Sequence, residues 1–179
     1  MYNTATTIDG FIADESNSLS WLFAVGEEGL EAHSVFMETV GVLVQGSTTY
    51  EWVLDEADLV ANPEKWVEFY GDRPTFVFTT RELPVPAGAD VRFVRGSVST
   101  ALPAIIAAAG ARAVWVVGGG DLAGQFADAG ALTEIMLSVA PVSLGGGAPL
   151  LPRRLESSAL TLTSVRQEGQ FAKLVYSVG

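Results

Sequence analysis

Residues 114–126, which read VWVVGGGDLAGQF, decide the fold of this chain. Four apolar residues end abruptly in three glycines, which predicts a strand buried on both faces. Leu122, Phe126 and Ala129 follow at near-helical spacing and predict a helix. Because Gly118–Gly120 lack Cβ atoms and the helix start offers unpaired N–H groups, the turn suits a phosphate. We therefore predict a dinucleotide diphosphate here, although a bare strand–turn–helix connection accounts for the same pattern.

The size and composition predict one folded domain. The chain has 179 residues, of which 49% are hydrophobic and 17% charged, and this excludes a disordered protein. No apolar run is long enough to cross a bilayer, and the first residues do not resemble a signal peptide. The absence of cysteine excludes a disulfide framework, a thiolate metal site and a cysteine nucleophile. We expect a cytoplasmic protein.

The charge balance is strongly acidic. Lysine and arginine number 10 against 21 aspartates and glutamates, so the formal net charge is −11. An acidic surface repels nucleic acid and anionic membranes, and we expect neither as a partner. His33 is the only histidine, which excludes a multi-histidine centre, and we expect no metal.

Strand and helix signals alternate through most of the chain. Strands are predicted over 2–8, 40–44, 74–79, 91–94 and 113–117. Helices are predicted over 27–38, from about Tyr50 with Ser47, Thr48 and Thr49 as N-cap choices, from Pro63 through Phe69, from the N-cap Ser97 to Ala109, and over 121–129. Strands over 134–140, 160–165 and 172–178 then follow with no helix between them, and 144–149 is predicted as a loop.

This order of elements predicts the fold class. Alternating strands and helices require a mainly parallel sheet with helices on both faces. The last strands, joined by a turn at 167–170, add an antiparallel hairpin. No linker or repeat divides the chain, so we expect a single α/β domain over 1–179.

Four segments, in order along nearly the whole chain, resemble the dihydrofolate reductase-like superfamily. They are ATTIDGFIA at 5–13, VLVQGSTTYE at 42–51, VVGGG at 116–120 and APVSLGGGAPL at 140–150. The first and last are similar to the branch that contains the C-terminal reductase domain of the riboflavin deaminase–reductase, the RibD C-terminal domain. The resemblance implies a three-layer α/β/α domain whose mixed, mostly parallel sheet has about eight strands.

The resemblance also implies NADPH as the cofactor and hydride transfer from its nicotinamide. The nicotinamide is expected near Ala5 and Ile12. The diphosphate is expected at two helix starts, formed by Gly46, Ser47, Thr48 and Thr49 and by Val117, Gly118, Gly119, Gly120, Asp121, Leu122 and Ala123. The adenosine 2′-phosphate is expected at Thr79, Thr80, Arg81 and Arg95, because hydroxyl and guanidinium groups bind phosphate.

Two residues depart from the family pattern. Ser47 stands where the family has an arginine, which removes a cation from the 2′-phosphate site and leaves the choice between NADPH and NADH open. Asp121 places a negative charge beside the expected diphosphate, which is tolerable if its side chain acts as an N-cap.

Two carboxylates are candidates for catalysis. Among Glu27, Glu28 and Glu31, which match the region of the first helix in dihydrofolate reductases, Glu31 has the nearest spacing; a solvated first helical turn is the simpler interpretation. Asp9 either holds its loop in an Asx turn or orients the ring of a substrate, and the sequence supports both readings equally.

Other side chains have structural and functional interpretations side by side. Trp21 and Tyr50 are predicted to bind substrate or to pack under the cofactor, with core packing as the default for aromatic residues. Arg73 is predicted to be a surface arginine paired with Asp72 or Glu68.

We expect a reductase that acts on a pterin-like or aminopyrimidine substrate, related to dihydrofolate reduction or riboflavin biosynthesis. The alternatives are a non-catalytic module that binds NADP(H) or senses a ligand, and an α/β scaffold for protein contacts. The apolar residues of 160–178 predict a homodimer that involves sheet edges near Ala140 and Val175.

Overall fold

A computed structural model describes residues 1–26 and 30–179, which divide into two compact units. Unit one comprises Met1–Val35 and Gly119–Gly179, and unit two comprises Phe36–Gly118. The strands are β1 (Tyr2–Thr7), β2 (Phe11–Ala13), β3 (Val40–Gly46), β4 (Thr75–Phe78), β5 (Val91–Val94), β6 (Ala113–Gly118), β7 (Glu134–Ala140), β8 (Ala148–Pro149), β9 (Leu160–Glu168) and β10 (Phe171–Val178). The helices are α1 (Ser20–Phe23), α2 (Leu30–Thr39), α3 (Ser47–Glu56), α4 (Glu64–Tyr70), α5 (Val98–Ala109) and α6 (Gly120–Asp128).

Unit two is built on four parallel strands in the order β5-β4-β3-β6. The central strand β3 is buried from Val40 to Gln45, as its unbroken apolar run predicts. Tyr50 of α3, Trp66 of α4 and Val77 of β4 belong to one buried cluster, and a second cluster joins Met37 of α2 to the strands. Burial of these side chains attaches the helices to the strands.

Unit one has its strands in the order β1-β7-β10-β9. β1 and β7 are parallel, whereas β10 pairs antiparallel with both β7 and β9. A separate antiparallel pair joins β2 to β8, and a buried cluster contains Trp21, Ala140 and Phe171. The parallel strands of unit two, and the parallel and antiparallel strands of unit one with its C-terminal hairpin, confirm the predicted α/β fold class of mixed, mostly parallel strands.

Several predicted boundaries are wrong by a few residues. α3 begins at Ser47 rather than near Tyr50, and its N-cap is Gly46, so none of the three hydroxyl residues caps it. Pro63 is the N-cap of α4 rather than its first helical residue. The loop at 144–149 contains the short strand β8, which was not predicted because its glycines and Pro149 are typical of a loop. By contrast, Ser97 caps α5 as predicted, because its side chain accepts the Thr100 N–H at 3.3 Å.

The expected location of the sheet edges is also wrong. Ala140 ends β7 and is fully buried, and Val175 lies in β10, which is flanked on both sides by β7 and β9. The hairpin folds back so that its first strand, β9, takes the outer position of unit one.

The predicted pairing of Arg73 with Asp72 or Glu68 is wrong. Its guanidinium group donates to three main-chain carbonyl oxygens, those of Met37, Val40 and Tyr70, at 2.8, 2.9 and 2.9 Å. These carbonyls lie at or just beyond the C-terminal ends of α2 and α4, where acceptors lack helical partners and a cation is favourable. Arg73 therefore satisfies carbonyl groups at the C-terminal ends of two helices instead of pairing with a surface acid.

Every helix in the described part of the chain is too short or too polar to span a bilayer.

Candidate functional site

The carboxyl ends of the four parallel strands of unit two lie along one edge. β3 ends at Gly46, β4 at Phe78, β5 at Val94 and β6 at Gly118. Ligands of open α/β sheets bind outside this edge. The structure places there, at or directly after the strand ends, the residues of unit two that the sequence predicts for the cofactor: Gly46, Ser47, Thr48, Thr49, Thr79, Thr80, Arg81, Arg95, Val117 and Gly118.

The start of α3 offers main-chain donors at this edge. Gly46 is extended and has no side chain to cap the helix. The N–H groups of the first turn therefore lack a side-chain acceptor from the N-cap, and the positive end of the helix dipole adds to their attraction for an anion. The neighbouring Gly118 leaves room for Thr49, since a Cβ built at Gly118 would lie 3.2 Å from Thr49 Oγ1.

The segment after β4 carries hydroxyl groups and an arginine. The Thr79 N–H donates to the Val94 carbonyl at 3.0 Å, and Thr79 Oγ1 accepts the Arg81 N–H at 3.0 Å. The Arg81 guanidinium group is already engaged, because its two terminal nitrogens donate to both carboxylate oxygens of Glu51 at 2.8 and 2.5 Å. Arg95 follows β5 directly and is exposed.

In unit one, the turn before α6 is occupied by the protein itself. A Cβ built at Gly120 would lie 2.2 Å from the Pro149 carbonyl oxygen and 2.4 Å from that of Leu150. The prediction that Gly120 is bare for a ligand is therefore wrong, because the main chain at 149–150 fills the space. Leu122 and Ala123 are buried, so neither offers a side chain to a ligand.

Asp121 is not the N-cap of α6, because Gly119 takes that position. The condition under which its charge beside a diphosphate would be tolerable is therefore not met. The Asp121 carboxylate instead accepts from Gln125 Nε2 at 2.9 Å and from an Arg153 nitrogen at 3.0 Å. These hydrogen bonds, that of Gln125 first, lower the pKa of Asp121. Arg153 also pairs with Asp128, so its side chain runs along α6 across Gly124.

Asp9 connects two distant segments of unit one. Its carboxylate accepts from Thr7 Oγ1 at 2.5 Å, from Ser143 Oγ at 2.8 Å, and from the N–H groups of Leu144 and Gly145 at 3.1 and 2.7 Å. We call this set of contacts the Asp9 clasp. The hydrogen bonds, that of Thr7 first, hold the pKa of Asp9 well below its usual range. The geometry favours the loop-holding interpretation over the substrate-orienting one, because the acceptor sites of the carboxylate are used within the protein.

Further contacts strengthen the same connection. The Leu150 N–H donates to the Gly10 carbonyl at 2.8 Å, and β2 pairs with β8. Gly147 lies so close to the preceding segment that a Cβ would sit 2.1 Å from the Ala13 carbonyl oxygen. The APVSLGGGAPL segment is thus tightly packed against β2, the strand that carries Ile12, the residue predicted to contact the nicotinamide.

The two aromatic residues predicted to bind substrate are core residues. Tyr50 is fully buried, and its hydroxyl group donates to the Pro84 carbonyl at 2.7 Å, so it cannot contact a ligand. Tyr50 lies on the face of α3 that packs against Trp66 and Val77, which is the default role of an aromatic residue. Trp21 is 7% exposed and packs with Ala140 and Phe171, with Ala5 against the same cluster.

The catalytic role predicted for Glu31 stays a prediction. Glu31 lies in α2, and Glu27 and Glu28 fall outside the described residues.

Sequence reasoning missed Glu51 and the segment from Ser143 to Gly145. Glu51 belongs to the quoted VLVQGSTTYE motif, but nothing in the sequence indicates that it pairs with Arg81, 30 residues away. The contacts of Asp9 with that segment span 134 to 136 residues, and only folding brings the two together.

The fold and this arrangement define a class, the α/β proteins with the dihydrofolate reductase-like fold. A protein assigned to riboflavin biosynthesis in Shewanella sp. PV-4 superimposes with a TM-score of 0.76 and 26% identity, over 99% of this chain and 97% of the other. A diaminohydroxyphosphoribosylaminopyrimidine deaminase/5-amino-6-(5-phosphoribosylamino)uracil reductase from Thermotoga maritima superimposes with a TM-score of 0.69 and 18% identity, over 99% of this chain and 56% of that protein. Dihydrofolate reductase from Enterococcus faecalis, solved with NADP(H), superimposes with a TM-score of 0.61 and 16% identity, over 99% of this chain and 95% of the other.

Within that class, the chain belongs to the RibD C-terminal domain family, which matches residues 60–174. The uncharacterized protein YwjB of Bacillus subtilis (strain 168) is 31% identical over 172 residues, covering 96% of this chain and 93% of YwjB. The resemblance drawn from the four segments is confirmed, and this chain shares its fold with two reductases.

Proposed function

We propose that this protein is an NADPH-dependent reductase that transfers a hydride to a pterin-like or aminopyrimidine substrate. The observation that carries the proposal is the set of anion-binding groups at the carboxyl edge of unit two, in a chain of the RibD C-terminal domain family. The T. maritima relative by fold is described as a reductase of an aminouracil, and the E. faecalis one as a dihydrofolate reductase with NADP(H).

The donors at this edge fit a phosphorylated dinucleotide. The uncapped start of α3 suits a diphosphate, and the hydroxyl groups of Thr79 and Thr80 with the exposed Arg95 suit the 2′-phosphate. When bound, NADPH supplies the hydride. The chain would hold the phosphates through these groups of unit two. The family resemblance names Ala5 and Ile12 for the nicotinamide, and that assignment stays a prediction. Orientation and exclusion of water are the contributions expected of the protein in such a reaction.

A non-catalytic module that binds NADP(H) is the second candidate. The observation in its favour is Asp9, whose acceptor sites are used by the loop and whose ionised state makes it a poor proton donor. A reductase would then depend on Glu31 or on water for the proton.

Cofactor binding is tested by titrating the protein with NADPH and measuring the quenching of its tryptophan fluorescence. NADPH oxidation is then measured against dihydrofolate and against the ribosylaminouracil phosphate of riboflavin synthesis. Binding with turnover supports the reductase, binding without turnover on either substrate supports the second candidate, and no binding of NADPH or NADH contradicts both.

We also propose that the protein forms a homodimer through β9. This nine-residue strand is at the outer position of unit one, and Leu162 and Val165 are 50% and 62% exposed on it. An exposed edge strand with apolar side chains is a template for pairing with a second chain.

A further inference from the structure

The ion pair between Arg81 and Glu51 stands at the position where a 2′-phosphate is proposed to bind. Glu51 lies in the second turn of α3, and Arg81 follows β4 in the segment with Thr79 and Thr80. Both carboxylate oxygens of Glu51 are used by the two terminal nitrogens of Arg81. The two side chains are 53% and 37% exposed, for Arg81 and Glu51 respectively, so a ligand can reach the pair.

This pairing opposes the binding of a second anion. The guanidinium group binds a carboxylate or a phosphate best through a bidentate fork, and Glu51 already takes the fork that the two terminal nitrogens of Arg81 form. A 2′-phosphate would also meet the negative charge of Glu51 at close range. A ribose 2′-hydroxyl group carries no charge and meets neither obstacle.

We propose that Glu51 is a specificity-determining residue, which lowers the preference of the protein for NADPH over NADH by holding Arg81. The inference rests on the proposed function, because it concerns the same cofactor site. Arg95, on the adjacent strand end, is an exposed cation that can serve the phosphate in the presence of Glu51. The preference for NADPH over NADH is therefore smaller than Arg81 without Glu51 would give.

The substitution Glu51→Gln tests this inference by direct binding. Glutamine keeps the size of the side chain and removes its charge, so Arg81 becomes available to the phosphate. Dissociation constants for NADPH and NADH are measured by tryptophan fluorescence, and those for adenosine 2′,5′-bisphosphate and ADP by calorimetry. We expect Glu51→Gln to tighten NADPH and the bisphosphate about two- to fivefold, the range expected for an exposed ion pair, and to leave NADH and ADP unchanged. The gain should shrink at high salt, which screens exposed charges.

Asp90→Asn is the matched control. Asp90 forms a bidentate pair with Arg92 at 2.6 and 2.8 Å, and these side chains are 42% and 47% exposed. This pair lies at the amino end of β5, away from the carboxyl edge, so its loss should leave all four dissociation constants unchanged. Thermal melting of both variants checks that they fold.

The outcomes separate the two proposals. If wild type binds dinucleotides but Glu51→Gln leaves the NADPH-to-NADH ratio unchanged or lowers it, Glu51 does not set specificity and the proposed function stands. If wild type binds neither dinucleotide, the proposed function fails and the inference fails with it. A gain in Asp90→Asn equal to that in Glu51→Gln would show a general charge effect and overturn the inference.

Discussion

Asp9 shows how the surroundings of one carboxylate decide what it can do. As the aspartate of an Asp-Gly turn, it invites both a structural and a functional reading. Donors from Thr7, Ser143, Leu144 and Gly145 converge on it, which favours the ionised form and keeps its pKa below the usual range. An acid that stays ionised is a good acceptor and a poor source of protons.

We predict that Asp9→Asn lowers the melting temperature of the protein at neutral pH. Asparagine offers one acceptor oxygen and no charge to groups that donate to two carboxylate oxygens. Because the folded-state pKa is depressed, the contribution of Asp9 is present above the unfolded-state pKa of about 4 and is lost as the pH falls below it. The difference between wild type and variant, measured by thermal melting over a pH series, should therefore shrink on acidification.

Asp14→Asn is the control for this prediction. Asp14 also has a lowered pKa, first through its hydrogen bond with Ser16, but among the described residues its carboxylate accepts from Ser16 and Ser18 of its own exposed loop. It should lower the melting temperature less than Asp9→Asn, since it joins no distant segments. Equal losses in the two variants would contradict the role of the clasp.

At the scale of elements, α6 and the segment Pro149–Arg153 are fitted to each other. Gly120 and Gly124, one helical turn apart, each leave a space that this segment fills, with main-chain oxygens at Gly120 and the Arg153 side chain at Gly124. Arg153 then pairs with Asp121 and Asp128 along the helix. These two glycines thus allow close packing within unit one.

We predict that Gly120→Ala destabilises the protein by about 3 kcal/mol or more, because its Cβ would overlap main-chain oxygens that have no freedom to rotate away. The free energy of unfolding is measured with urea in the absence of ligands. Gly130→Ala is the control: Gly130 has φ +64° and open space around its Cβ, so it should cost about 1–2 kcal/mol from backbone strain alone. A smaller loss for Gly120→Ala than for Gly130→Ala would show that the site is open, as a ligand site requires.

At the scale of the whole molecule, association is the property to test. Leu162 is opposite Tyr176 and Val165 is opposite Leu174 in the β9–β10 pairing, so apolar residues face one another across the hairpin. A chain of net charge −11 tends to repel its own copies, and an apolar strand without acidic side chains at these positions offers a surface where that repulsion is least.

We predict that wild type is a dimer by size-exclusion chromatography with light scattering and that Leu162→Glu is a monomer. The introduced charge would be buried without a partner in the dimer. Val67→Glu is the control, because Val67 is similarly exposed at 55% but lies on α4 of unit two. A monomeric wild type, or dissociation of both variants alike, would contradict an interface on β9.

Periodicity and turn chemistry predicted much of the fold. The alternation of strands and helices, the Ser97 cap and the C-terminal hairpin are local signals, which neighbouring residues carry by themselves. Local signals failed where they are ambiguous. Three hydroxyl residues suggested an N-cap for α3, yet the extended Gly46 takes that position. The glycines and Pro149 of the loop at 144–149 gave no strand signal for β8.

The sequence by itself determined the fold class, the family and the group of residues at the carboxyl edge of unit two, because strand ends and helix starts follow from short-range patterns. Only the tertiary structure decided which partners the candidate residues of the two units have. Arg81 is paired with Glu51, Asp9 with the loop at 143–145, and Gly120 with the main chain at 149–150. Each partner lies roughly 30 or more residues away along the chain, and electrostatic and packing contacts depend on distance in space, which a single sequence does not contain.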